Sequence, residues 1–293
     1  MLINEGYPAK LIQTNDGFLL YNLYEIQYFI YSLDLNKDEY TISDDKWNGA
    51  KRKLVERFEK SSKLEIVINI IKNFEITNPK RKYFSDFEVF LRESKIEDFI
   101  TGNLDTIFVS TIHKAKGKEF DNVYLMLNNF KIKEESNKRE LYVAMTRAKN
   151  NLTIHLNNDI FDDVFGMENV FFKFDNTPYN PQKHIVLQLT HRDIWLDFFI
   201  DKNRQKLLKQ LHSGEQIIIK NNTAYNSDKQ EILKFSKLFS KKLETHQKKG
   251  YEIDYAKINF ILLWKKEELE KKILIILPEI YMIKANSTMP HKE

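Results

Sequence analysis

Cysteine is absent from all 293 residues, which excludes disulfides and thiolate metal sites and fits a cytoplasmic protein. Histidine is sparse, seven in all, and no pair stands at H-x-x-x-H or H-E-x-x-H spacing, so no catalytic metal is expected from this chain alone. Apolar runs stay short. The longest, near Phe260–Trp264 and Ile273–Leu277, are strand-sized and fall far below the ~18–20 residues a membrane span needs. The N-terminus carries Glu5 and Pro8 instead of a basic and then apolar signal segment. A phosphate loop of the form G-x-x-x-x-G-K-[ST] is also missing, because the one Gly-Lys pair, Gly117-Lys118, is followed by Glu119.

What remains is the composition of a folded, water-soluble chain, 42% apolar and 30% charged, long enough for two or three domains. The net charge of +4 is mild for a nucleic-acid binder and is unevenly spread. Counting Lys and Arg against Asp and Glu leaves residues 1–100 at −2, residues 101–150 at +3 and the remainder at +3. The densest positive stretch suits a local phosphate contact better than a broad electrostatic footprint.

Periodicity divides the chain. Ala9–Gln13 reads as a short buried strand before the Asn15-Asp16-Gly17 turn, and Leu23, Ile26, Phe29, Ile30 and Leu33 then recur at helical spacing. Asp45–Lys60 predicts a helix with Trp47, Leu54, Val55 and Phe58 on one face. Ser62-x-x-Glu65 and Ser85-x-x-Glu88 are capping-box signatures for two further helices, so residues 34–100 read as all-helical. At Thr106 the pattern changes. Thr106–Ser110 and Val123–Leu127 predict buried strands, Asn137–Lys149 a helix and Leu152–Leu156 a following strand. Residues 157–182 read as a linker. Beyond it, Ile185–Leu189, Glu215–Lys220, Tyr255–Trp264 and Lys272–Ile280 predict strands. Thr190-x-x-Asp193 caps a helix, a second spans Lys202–His212, and another ends near Gly250. Trp195, Phe198, Phe199, Trp264 and Tyr281 read as core aromatics, with a base-stacking platform as the alternative.

Two stretches stand out chemically: Thr111-Ile112-His113-Lys114-Ala115-Lys116-Gly117-Lys118-Glu119-Phe120 and Leu141-Tyr142-Val143-Ala144-Met145-Thr146-Arg147-Ala148-Lys149. Each alone is unremarkable, a basic turn and a surface arginine. Together, in order and in a strand–turn–strand–helix–strand context, they resemble motifs V and VI of the UvrD/Rep/PcrA group of superfamily 1 DNA helicases. A softer likeness to the same family runs from Gly6-Tyr7-Pro8-Ala9 through Gly17-Phe18 to Glu25-Ile26, with Glu25 as a structural anchor.

The resemblance implies specific roles. Thr111, His113 and Lys114 would contact single-stranded DNA, where hydroxyl, imidazole and ammonium donors suit phosphate oxygens. Gly117 and Glu119 would lie at the nucleotide, with the carboxylate on the ribose hydroxyls. Arg147 would be the catalytic residue reaching the γ-phosphate of ATP, since its planar guanidinium holds two oxygens at once. Thr146 would orient it, and Tyr142 would pack the motif helix on the sheet. The family often has leucine where Lys118 stands; the change adds charge and removes no known ligand.

The fold this implies is α/β. Residues 1–33 and 104–157 would form a partial RecA-like motor domain (2A), and 34–103 a shortened helical 2B-like insertion. A linker at 158–182, a small C-terminal α+β domain at 183–284 and a tail at 285–293 would complete it. The expected function is the C-terminal motor portion of an ATP-dependent DNA helicase, lacking Walker A and B and inactive alone. ATP with Mg²⁺ would be shared with an N-terminal helicase half supplied in cis or in trans. Single-stranded or partly unwound DNA would be the track, and the C-terminal domain could dock a protein partner. The alternative is a non-catalytic DNA-binding or protein-interaction module that keeps the motor fold.

Overall fold

The computed structural model describes residues 9–11, 18–36, 38–99, 107–115, 117–132, 134–164, 166–177, 182–265 and 272–285. The chain divides into two compact units, one made of residues 2–14 and 103–181, the other of residues 15–102 and 182–293.

The first unit is built on parallel pairing. Strand Ala9–Leu11 lies beside Ile107–Val109, and strand Phe120–Leu127 beside Ala148–Leu156. Helix Glu135–Met145 connects the second pair, the strand–helix–strand crossover that parallel neighbours require. Leu125 and Leu127 point into a small core with Leu141 and Ala144 of that helix. The alternate side chains, Tyr124 and Met126, are 64% and 68% exposed. The sequence predicts strands buried on both faces, and the structure corrects this. Among the described residues one helix covers one face, so the pair alternates inward and outward as a half-covered sheet does. The helix also stops earlier than its spacing predicts. Thr146 and Arg147 form a tight turn, and the next strand starts at Ala148.

The second unit holds a six-stranded antiparallel sheet. Its order is Glu231–Lys234, Thr223–Tyr225, Gln216–Lys220, Tyr251–Trp264, Ile273–Lys284 and His184–Gln188. The run Ile273–Ile280 is buried at every position, so both faces of that central strand are covered. Helices Tyr24–Ser32, Asp44–Phe58, Leu64–Thr77 and Phe84–Glu93 share one core with the sheet. Leu23 bridges to Leu262, and an aromatic cluster of Phe29, Trp47, Phe74 and Phe87 packs at centroid spacings of 4.8 to 5.7 Å.

This grouping differs from the order of segments read along the sequence. Residues 18–33 pack with the helical segment rather than with the motif-bearing strands, and the sheet of residues 184–284 is not a separate body. The physical reason is area. A strand pair as apolar as Tyr251–Trp264 and Ile273–Lys284 needs cover, and the apolar faces of the helices, with Val67, Ile70, Ile71 and Phe74 on one of them, provide it.

The caps are a second difference. Helix Leu64–Thr77 starts without a side-chain cap: Lys63 stands at the N-cap position, and the backbone N–H of Ser62 donates to the carbonyl of Ser213. Ser85 falls inside helix Phe84–Glu93, and Glu88 pairs with Arg92 at 2.7 Å. The Thr190–Asp193 box does form, on a single 3-10 turn. Strands Thr223–Tyr225 and Glu231–Lys234 escape sequence patterning because they are too short to display a period. Of the five aromatics, Phe198 and Phe199 are core, while Trp195 is 50% exposed.

Candidate functional site

The site begins where strand Ile107–Val109 ends. The chain enters a 3-10 turn over Ile112–Ala115, closed by the Ala115 N–H on the Thr111 carbonyl at 3.3 Å, and the Lys118 N–H returns to the Ala115 carbonyl at 3.1 Å. Gly117 has φ of +83°, a left-handed conformation that a side chain would strain, and no atom lies within 4 Å of where a Cβ would stand. Backbone conformation therefore accounts for the glycine, and the space above it is open.

Ile112 packs on the small core, which turns its neighbours outward. Thr111 is exposed. His113 is 83% exposed, with Nε2 at 3.4 Å from the Glu140 carboxylate on helix Glu135–Met145. That partner was not singled out from the sequence, and no local signal links two residues so far apart. The side chain of Lys114 lies outside the described residues. Glu119 is exposed, and no hydrogen bond or ion pair engages it among the described residues.

Arg147 stands at the end of the same helix and joins the two stretches. Its Nε donates to the Val143 carbonyl at 2.9 Å, one terminal nitrogen donates to the Lys118 carbonyl at 3.3 Å, and the other to Thr146 Oγ1 at 3.1 Å. Its own carbonyl accepts from the Phe120 N–H at 2.9 Å. Arg147 is thus clamped against the Gly117–Phe120 turn, with Glu119 between its two backbone anchors. A guanidinium has five N–H donors, and two of them remain without an acceptor among the described residues. Thr146 Oγ1 accepts one of the Arg147 bonds. Tyr142 does not pack the helix on the sheet: it is 68% exposed, because Leu141 and Ala144 occupy the inward face.

The geometry suits an anion better than a metal. An arginine with unspent donors, an exposed carboxylate and an open glycine turn can meet phosphate oxygens and hydroxyls. No group of three or more His, Asp or Glu side chains that could hold a metal ion occurs among the described residues. No described helix is long and apolar enough to cross a membrane.

Glu25 belongs to the other unit and to its architecture. The side chain is fully buried, accepting from Ser61 Oγ at 2.7 Å and Ser213 Oγ at 3.0 Å. It ties helix Tyr24–Ser32 to two loops distant in sequence. Burial pushes its carboxyl above the usual carboxylate range, and the two hydroxyl bonds only partly offset this. Nearby, burial draws the Lys63 ammonium below its ordinary value, while Glu279 and Glu25 oppose the shift. Lys63 Nζ donates to Asn259 Oδ1 at 2.9 Å.

Comparison with known proteins meets this geometry from outside. Over 100 residues the chain is 32% identical to the Gabija protein GajB of Bacillus cereus (strain VD045), a match spanning 34% of this chain and 20% of that protein. The chain thus spans only a minor part of that relative. A family profile described as the UvrD-like helicase C-terminal domain matches residues 9–159, which take in the parallel strands, the Thr111–Phe120 turn and the Arg147 helix. The chain belongs to the UvrD-like helicase C-terminal domain family.

Proposed function

We propose that this chain supplies the second half of a composite ATP and DNA site in a DNA-translocating motor. The observation that carries the reading is the clamp between the two motifs, in which Arg147 bonds the Lys118 carbonyl and receives the Phe120 N–H. In this arrangement Arg147 is the finger whose two unspent N–H groups meet the γ-phosphate, and Glu119 and the Gly117 turn lie at the ribose. Thr111, His113 and Lys114 are the residues that would contact the DNA strand. The phosphate cradle, the Mg²⁺ ligands and the attacking water's base come from an N-terminal motor half, in cis or in trans. ATP with Mg²⁺ would supply the phosphoryl chemistry there. The residues of this chain neutralise charge, orient the nucleotide and hold the strand. Residues 2–14 and 103–157 fill the role of the 2A motor domain, the helices of 34–103 stand where 2B is inserted, and the C-terminal sheet offers a surface for a protein partner.

A second reading has its own observation. Three of the guanidinium donors are already spent on this chain, so Arg147 also serves as an internal clip, which a non-catalytic binding module would keep. Turnover separates the two. The isolated chain should hydrolyse no ATP. Combined with an N-terminal half that contains a Walker A loop, it should show DNA-stimulated hydrolysis, and Arg147→Ala should lower turnover by about 10³–10⁵-fold. Arg147→Lys should rescue little, because an ammonium lacks the planar fork. Unchanged turnover in Arg147→Ala, with the fold intact, would leave the clip reading standing and remove the catalytic one.

A further inference from the structure

Helix Lys237–Lys248 covers one face of the antiparallel sheet through Phe239 and Leu243. Its other face carries Lys237, Lys241, Lys242 and Lys248, and Lys249 follows at its end, all exposed. At 3.6 residues per turn these five ammonium groups fall within an arc of roughly 140°. Glu244 is the only acidic side chain in the helix. None of the five lysines forms an ion pair or a cation–π contact among the described residues. Elsewhere in the same unit three cations on or beside helix Asp44–Phe58 are paired, Lys46 with Glu39, Lys51 with Glu75 and Lys82 with Asp44, while Arg52 and Lys53 of that helix are exposed.

Helix stability does not account for the pattern. Lys248 and Lys249 sit where a cation complements the helix dipole, but Lys237 occupies the first helical position, where a cation opposes it, and no acid stands in the first turn. The cap of this end, Ser236, donates its N–H to the Asp193 carbonyl at 2.9 Å, and Lys234 accepts from the Trp195 N–H at 2.8 Å. The half-exposed Trp195 therefore stands beside the start of the lysine face. At the middle of the helix Ser240 Oγ bonds Asn222 Oδ1 of the Asn221–Asn222 turn, which is flanked by the exposed Lys220.

From this we infer that the exposed face of helix Lys237–Lys248 is a second nucleic-acid contact, docking the phosphodiester backbone of a strand outside the motor site. Charge complementarity carries the assignment: a continuous row of unpaired cations matches a linear polyanion, and an exposed indole beside it suits a base face. An anionic membrane is the poorer match. A helix that lies in a bilayer surface inserts its apolar face, and here that face is already spent on the sheet, leaving Leu238 as the one large apolar side chain outside.

The test is binding by the full chain to labelled single-stranded and duplex DNA of mixed sequence, read by fluorescence anisotropy between 50 and 200 mM salt. Replacing Lys237, Lys241, Lys242, Lys248 and Lys249 together with Gln should weaken binding by roughly 10- to 100-fold at the lower salt. It should also flatten the log–log salt slope by about two to four, since each contacted phosphate contributes about 0.7–0.9. Thermal melting of the variant should match that of the parent chain, because every changed side chain is exposed. A control variant, Thr111→Ala with His113→Ala and Lys114→Ala, reports on the motor site separately. Loss of salt dependence in the control alone overturns the inference and leaves the proposed function standing. Loss in the lysine variant alone supports the inference and tells against the motor-site DNA contacts. Binding to vesicles of phosphatidylserine and phosphatidylcholine with no DNA binding overturns it in favour of a membrane contact.

Discussion

The two units of this chain spend their residues differently. Among the described residues of the unit 2–14 and 103–181, the buried apolar side chains are Leu125, Leu127, Leu141 and Ala144, and Tyr124, Met126, Tyr142 and Phe171 are largely exposed. The unit of residues 15–102 and 182–293 runs one core from Leu20 to Met282. The first carries both functional motifs, and the second carries most of the packing. The contrast teaches that the motifs stand out in the sequence because the core does not require them. Residues such as His113 and Glu119 are exposed, so packing does not fix their identity.

The largest effect that tests this contrast is in the core. Trp47 is buried among Phe29, Phe74 and Phe87, and its indole N–H donates to Glu75 at 2.6 Å. Trp47→Ala should cost about 3–5 kcal/mol in urea unfolding. A loss below about 1 kcal/mol would mean that the aromatic cluster is not the keystone of that unit.

An intermediate effect concerns Glu25 and appears as pH dependence. Burial raises its folded pKa above the ordinary value of 4.5. The folded state therefore holds this proton more tightly than the unfolded one. The stabilising contribution is complete below the ordinary value and is lost as pH rises through the folded pKa. Glu25→Gln keeps an oxygen to accept from Ser61 and Ser213 and removes the titration. Its melting temperature should therefore gain on that of the parent chain between pH 5 and pH 8, as measured by calorimetry at both. Parallel pH profiles would show that the buried carboxyl does not titrate in this window.

The smallest effects belong to the open unit. Tyr124→Ser and Tyr142→Ser should each change stability by no more than about 0.5 kcal/mol, because neither side chain is buried. A drop of several kcal/mol in either would reveal packing on that face and erase the contrast.

Much of the secondary structure was legible from spacing. Helix Asp44–Phe58 lies within two residues of its expected bounds, with Trp47, Leu54 and Phe58 inward and Val55 outward. The capping signatures were less dependable, because a serine that could cap a helix can also be drawn elsewhere. At helix Leu64–Thr77 Lys63 holds the N-cap position, and the Ser62 backbone N–H is drawn to the Ser213 carbonyl, a partner far along the chain. At the candidate site, residue types and order were readable. The His113–Glu140 contact and the Arg147–Lys118 clamp were not, since nothing local announces a polar contact across 27 or 29 positions.

The sequence by itself determined the helix and strand periods, the absence of a phosphate loop and the two motif strings that mark the family. These follow from near-neighbour sterics and from which side chains can perform which chemistry. Tertiary structure alone decided that helix Tyr24–Ser32 and residues 44–99 share a core with the C-terminal sheet, and that Arg147 closes on the Lys118 turn. It also decided that the lysines of helix Lys237–Lys248 stay unpaired on one face. Such outcomes depend on which apolar faces cover one another once the chain closes, and that choice is set by long-range burial rather than by any local pattern.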